Sequence, residues 1–248
     1  MNKQTLSNYI LAFDEINALT AVSYNTASET TEDQTVQVSQ IADDILSLLI
    51  NAYRKGVQAA SEMLAYDLTV DVRSMDEVIY LVIDDKTFED RVADHVLSGD
   101  LQGLQTLAES EFHRVYNAAV LDGGHQYQSS VGYGVTKNWY TVMDDKVRET
   151  HRYLEGASVS LDEEFWTFDG DHAAYPGGFT KAENNVNCRC TVELHIDAEE
   201  QEQKAQELFE QQQRMKQEGN DDDSGNNEGN GGADGKSAET REQSGNTD

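Results

Sequence analysis

One proline and two cysteines occur in 248 residues, and only 18 lysines and arginines stand against 47 aspartates and glutamates. Each scarcity excludes something. Two cysteines one residue apart cannot build the disulfide framework of a small secreted domain. A formal charge of −29 repels phosphate backbones over most of the surface, and no Lys/Arg-rich run supplies a local exception, so broad nucleic-acid binding is not expected. No apolar run is long enough to span a bilayer. The opening MNKQTLSNYILAFDEINAL lacks the apolar core and small-residue cleavage site of a signal peptide, which reads as a protein of a reducing cytoplasm. Catalytic signatures are scarce too. There is no H-E-x-x-H, no G-x-S-x-G, no Walker loop and no deaminase pattern. Gly132 and Gly134 make a lone G-x-G without the rest of a dinucleotide fingerprint. Hydrophobic residues reach only 38%, so part of the chain is expected to stay unpacked.

What is present divides the chain in two. Leu6, Ile10, Phe13 and Ile16 recur at helical steps, as do Val38, Ile41, Ile45, Leu48 and Ala52. Both runs predict amphipathic helices, with NTASETTEDQT as a polar loop between them. Ser74 and Glu77 have the spacing of a capping box. Asp100 is placed to cap a longer helix that paired Gly123 and Gly124 should end. After that point GGHQYQSSVGYG reads as a loop, KNWYTVM as a short strand, and 146–155 as a short helix closed by Gly156. Phe165, Trp166 and Phe168 form an aromatic group, and the single Pro176 lies in a YPGG turn. Residues 198–217 favour helix but carry a thin apolar stripe of Ala205, Leu208, Phe209 and Met215. Residues 218–248 are Gly, Asn, Asp, Ser and Glu with almost nothing to bury, which predicts a disordered acidic tail. The expected class is α+β: a mostly helical N-terminal half, a small mixed α/β C-terminal core with a few strands, and the tail. The expected divisions are a helical region at 1–73, a domain at 74–197, a helical extension at 198–217 and the tail at 218–248.

The stretch NVNCRCTVELHI holds both cysteines. Val186, Cys188, Cys190, Val192, Leu194 and Ile196 alternate with polar partners, the mark of a half-buried strand. Both cysteines then face the core and His195 faces away. Two thiols on one face hold zinc only if His151 and a further group meet them in space. Zinc-knuckle spacing is absent, so two small buried residues are the favoured reading and no cofactor is expected. In WYTVMDDKVRETHRYLEG, Asp144 and Asp145 are placed to cap a helix and to pair with Arg148. The catalytic alternative is a small metal-dependent hydrolase or nuclease centred on His151, Cys188 and Cys190, with Asp145 orienting His151 as general base and Arg148 beside it. A histidine hydrogen-bonded in or near the core is the favoured alternative. A third possibility is an acidic regulator whose tail binds a basic partner.

The order of these features resembles a known family. Glu111 and Asn117 lie six apart on one helix. Trp139 follows in K-N-W, then Asp144, Asp145, Arg148 and His151 in D-D-K-V-R-E-T-H, then Gly156, Phe165, Pro176 in Y-P-G, and Asn187, Cys188, Arg189 and Cys190 in N-C-R-C. This set is similar to the phage head morphogenesis family, the minor head proteins like protein F of phage Mu. It covers roughly 75–197, and most sharply 137–192. Glu109-Ser110 stands where the family often has Arg-Thr. The resemblance implies a non-enzymatic minor component of a tailed-phage head. It would be made in the host cytoplasm, placed in the head interior through the portal protein and other capsid components, and used in assembly, DNA packaging or DNA delivery. The N-terminal helices are the expected portal contact. No membrane partner is implied.

Overall fold

The structure, a computed structural model, describes residues 3–221. It opens with two long helices, α1 (Lys3–Thr30) and α2 (Gln34–Leu64). The linker between them is far shorter than the polar run predicts, because NTASET completes the last turns of α1. Asp33 caps α2 by accepting from the Thr35 N–H. Two shorter helices follow, α3 (Val72–Ile79) and α4 (Phe88–Ser98). The cap of α3 is Asp71, which takes the N–H groups of Arg73 and Ser74, so the expected Ser74–Glu77 box is displaced by a carboxylate one turn earlier. A reciprocal capping box, Thr87 with Asp90, opens α4.

Helix α5 (Leu101–Val131), capped by Asp100 as predicted, is the axis of the fold. It runs through Gly123 and Gly124 and ends at Gly132, whose φ of +78° gives the left-handed cap. The prediction that the paired glycines end the helix is therefore overturned, and the reason lies in packing. A Cβ on Gly123 would sit 2.5 Å from the Ala60 Cβ, and one on Gly124 would sit 2.8 Å from Leu161. Gly56 on α2 is equally confined, 2.4 Å from the Tyr116 carbonyl. These glycines let α2 and the sheet approach α5 closely. Ile41, Ile45, Leu49, Ala52, Tyr53, Ala60 and Leu64 form the buried stripe of α2 against that contact.

The second half wraps α5 with small elements. In chain order these are β1 (Val135–Tyr140), α6 (Glu149–Arg152), β2 (Ser158–Ser160), β3 (Phe165–Trp166), β4 (His172–Ala173), α7 (Ala182–Asn185) and β5 (Thr191–Ile196). Strand β1 is central in the antiparallel order β2-β1-β5, and β3 pairs with β4. Register places Trp139 opposite Val192 and Lys137 opposite Leu194. Val135, Lys137 and Trp139 are all buried. Met143, the last residue of the strand expected over KNWYTVM, lies outside β1 and is exposed and left-handed at φ +57°.

Two expected elements are shorter than predicted. The strand expected from Val186 joins its ladder only at Thr191. Asn187 is left-handed (φ +57°) and the Cys188 N–H bonds the Asn185 carbonyl, which ends α7 in a turn. The alternation survives in burial only in part: Cys188, Cys190, Val192 and Leu194 are inside and His195 is outside, but Val186, expected inside, is exposed and Thr191, expected outside, is buried. The helix expected over 146–155 is a single turn at α6. Asp144 turns inward on the Lys146 N–H and is drawn to Arg189, so it does not cap that helix. The aromatic group also divides. Phe165 is buried against Trp139, whereas Trp166 stacks on His172 and Phe168 meets Tyr153 at the surface.

Residues through Glu202 form one compact unit. Helix α8 (Ala198–Asp221) extends past the predicted boundary at 217, with Leu208 and Phe209 exposed. The rest of the predicted acidic tail, from 222, lies outside the described residues.

Candidate functional site

Helix α5 supplies the floor of the site. Its central turns are buried all round, which is unusual for a helix rich in polar residues and requires every polar group there to find a partner. Glu111 lies between two arginines. It accepts from Arg91 Nη1 of α4 at 2.7 Å and from Arg114 Nη2 at 2.8 Å. Arg114 also donates to the Val78 carbonyl of α3 at 2.9 Å. Burial pushes the Glu111 pKa up, but the arginines outweigh it and hold the carboxyl below its ordinary value. This cluster ties three helices together and lines an open cleft of about 590 Å³. The YPGG turn closes on the same point. Gly177 has φ +90°, and a Cβ there would lie 3.0 Å from the Arg114 Cα, so the turn after Pro176 requires glycine.

Two turns along α5, Asn117 binds the helix to the cysteine segment. Its amide donates to the His113 carbonyl (3.0 Å) and the Cys190 carbonyl (3.4 Å) and accepts from the Val192 N–H (3.3 Å). Beside it lie the two thiols. His151 reaches them from α6: its Nδ1 is 3.5 Å from Cys188 Sγ and 3.4 Å from Cys190 Sγ. All three side chains are buried. His113, fully buried, adjoins Cys188, and its Nε2 is 3.3 Å from Asn117 Nδ2. The His151 ring stacks on Phe179 at 5.1 Å and meets Trp139 edge-on at 5.6 Å, which fixes its direction. Burial pushes the Cys188 thiol up, yet a hydrogen bond from Cys190 and the adjacent His113 hold it well below the ordinary thiol range. Cys190 is driven the other way by the same contact and by burial.

The remaining predicted positions form the rim. Arg189, between the cysteines, makes a fork with Asp144 at 2.6 and 2.8 Å. Arg148 donates instead to the Val186 carbonyl, which corrects the expected pairing of Arg148 with Asp144 or Asp145. Asp145 is exposed. Among the described residues no hydrogen bond or ion pair joins it to His151, so the ring has sulfur partners in place of the aspartate that a general-base role required. Gly156 donates its N–H to the Trp139 carbonyl (2.9 Å), which pins the α6 turn to β1.

Sequence reasoning missed several participants. His113 lies one helical turn before Asn117, a spacing that could have flagged it. Arg114 sits three residues after Glu111 on the same helix, a spacing that could have flagged it, whereas Arg91 is matched to Glu111 only by the fold. Asp171 is another: burial raises its pKa, but Asn184, Thr180 and the His172 and Lys181 N–H groups outweigh that and hold it low. Asn184 Nδ2 donates to it at 2.7 Å, and Asp171 thereby anchors the loop that brings α7 toward the cysteines.

Residues 83–193 match the family described as Phage Mu protein F like protein, the family that the ordered motif residues resemble. Within this segment lie the Glu111 cluster, Asn117, Trp139, His151 and both cysteines. Minor head protein GP7 of Bacillus phage SPP1 is 33% identical over 92 residues, covering 37% of this chain and 29% of that protein. The NAD(+)–arginine ADP-ribosyltransferase EFV of Enterococcus faecalis is 25% identical over 166 residues, 66% of this chain and 34% of that protein. The chain therefore spans about a third of the length of these relatives. No solved structure matches it.

Proposed function

We propose that this chain is a minor head protein of a tailed phage, acting non-enzymatically in head morphogenesis and held in the head interior through the portal protein. The observation that carries the reading is the family match over 83–193, which contains the buried motif residues Glu111, Asn117, Trp139, His151, Cys188 and Cys190. The motif positions make mostly scaffold contacts: Glu111 binds helices, Asn117 binds α5 to β5, and Gly156 and the Pro176 turn fix loops. That pattern supports an assembly module. The charge of −29 supports a role beside packaged DNA without broad DNA binding. Helices α1 and α2 are the proposed portal contact, where Leu19 and Val22 stand exposed on the α1 surface.

Deleting residues 1–70 does not test that contact, because α2 supplies a large share of the core and its loss would unfold the chain. The test is co-expression with the portal protein of the same phage, followed by a protein inventory of purified heads and virions. The wild-type chain should co-purify with portal and enter heads in few copies. Leu19→Asp with Val22→Asp should abolish both while leaving the helical circular dichroism intact. Absence of the wild-type chain from portal complexes, heads and virions alike would sink the proposal.

A further inference from the structure

We propose that His151, Cys188 and Cys190, with His113 as fourth donor, form a structural zinc site that closes the core of the Mu F-like segment. Three donor atoms already converge: one imidazole nitrogen and two sulfurs, all within 4.8 Å of one another and all buried. The two sulfur–nitrogen separations are 3.5 and 3.4 Å. A tetrahedral zinc with Zn–S near 2.3 Å and Zn–N near 2.0–2.1 Å has S···N edges of about 3.6 Å, which these two separations already match.

The convergence is built from distant parts of the chain. His151 comes from α6 and the cysteines from the lead-in to β5, while His113 of α5 lies beside Cys188. One nitrogen, His151 Nδ1, lies within 3.5 Å of both sulfurs, and a single ring nitrogen makes only one well-aligned hydrogen bond in either tautomer. A cation between them satisfies all three donors at once. Cys-x-Cys spacing suits the arrangement, because alternate residues of an extended segment face the same side. Softness of the set, sulfur and imidazole with no carboxylate, selects zinc over magnesium or calcium. Burial of all three, with His113 fully enclosed beside Cys188, makes the site closed and structural. The site deepens the scaffold reading but does not depend on it, since a zinc-binding core can be shown whether or not the chain enters phage heads.

The full-length chain is purified without chelators from cells grown with added zinc, and its metal is measured by mass spectrometry. About one zinc per chain is expected, falling to background in Cys188→Ser and Cys190→Ser. Because core cysteine variants can fail to fold, reduced wild-type protein is also stripped of metal and titrated with cobalt. Folding is checked by circular dichroism. The expected result is the visible and near-ultraviolet absorption of tetrahedral thiolate-bound cobalt, saturating at about one equivalent and lost on adding zinc. His113→Asn should weaken cobalt binding by about tenfold or more. Unchanged affinity in that variant would remove His113 from the site. Folded, reduced wild-type protein that neither retains zinc nor develops thiolate–cobalt bands would overturn the proposal entirely.

Discussion

Lys137→Met should stabilise this protein, although it removes a charge from a chain short of positive ones. Lys137 sits at the centre of β1 with no accessible surface, and its Nζ has no hydrogen-bond partner. The Phe165 ring lies 5.5 Å from it. Burial depresses the lysine from 10.5 to about 8, despite the acidic Asp162, Glu164 and Glu163 nearby. At about 1.4 kcal/mol per pH unit, keeping the group charged at neutral pH costs about 3 kcal/mol. The cation–π contact returns about 0.5–1 kcal/mol. Methionine fills a similar volume without the charge, so the net gain should be about 1–3 kcal/mol. Linkage gives a second signature. The unfolded chain holds this proton up to about pH 10.4 and the folded chain releases it near pH 8, so wild-type stability rises relative to the variant between those values. Urea unfolding at pH 7 and pH 9.5 measures both effects. A variant less stable than wild type at pH 7, or a gap that does not narrow at pH 9.5, would refute the burial argument.

Three further outcomes test other parts of the structure. Glu111→Gln leaves Arg91 and Arg114 buried around a neutral amide, and thermal or urea unfolding should show a loss of about 3–5 kcal/mol. Because Glu111 is held below its ordinary pKa, its contribution is complete above about pH 4.5 and is lost as pH falls below that, so the difference between wild type and variant should shrink in acid. Gly123→Ala should cost about 1–3 kcal/mol through its clash with Ala60, whereas Gly132→Ala, in open space but at φ +78°, should cost about 1 kcal/mol from backbone strain alone. Arg189→Ala, which removes a half-exposed pair with Asp144, should cost under about 1 kcal/mol and lose most of that effect in high salt.

The sequence alone determined what depends on local periodicity and on residue order. The two long N-terminal helices, the Asp100 cap and the burial of both cysteines opposite an exposed His195 all follow from spacing within one element. The order of motif residues between Glu111 and Cys190 pointed to the family that residues 83–193 match. Where local signals failed, a distant contact decided. Gly123 and Gly124 resemble a helix stop, but they are where Ala60 and Leu161 press against α5, and nothing near them in sequence records that. Asp144 looks like a cap with Arg148 as its partner, yet Arg189 takes it from 45 positions away. The pairing of Glu111 with Arg91, the enclosure of Lys137 and the meeting of His151 with both sulfurs are likewise set by how α4, α5, α6 and β5 pack. A thiol's direction can be read from a strand's alternation, but which imidazole it meets depends on chain closure over many residues, and only the tertiary structure supplies that.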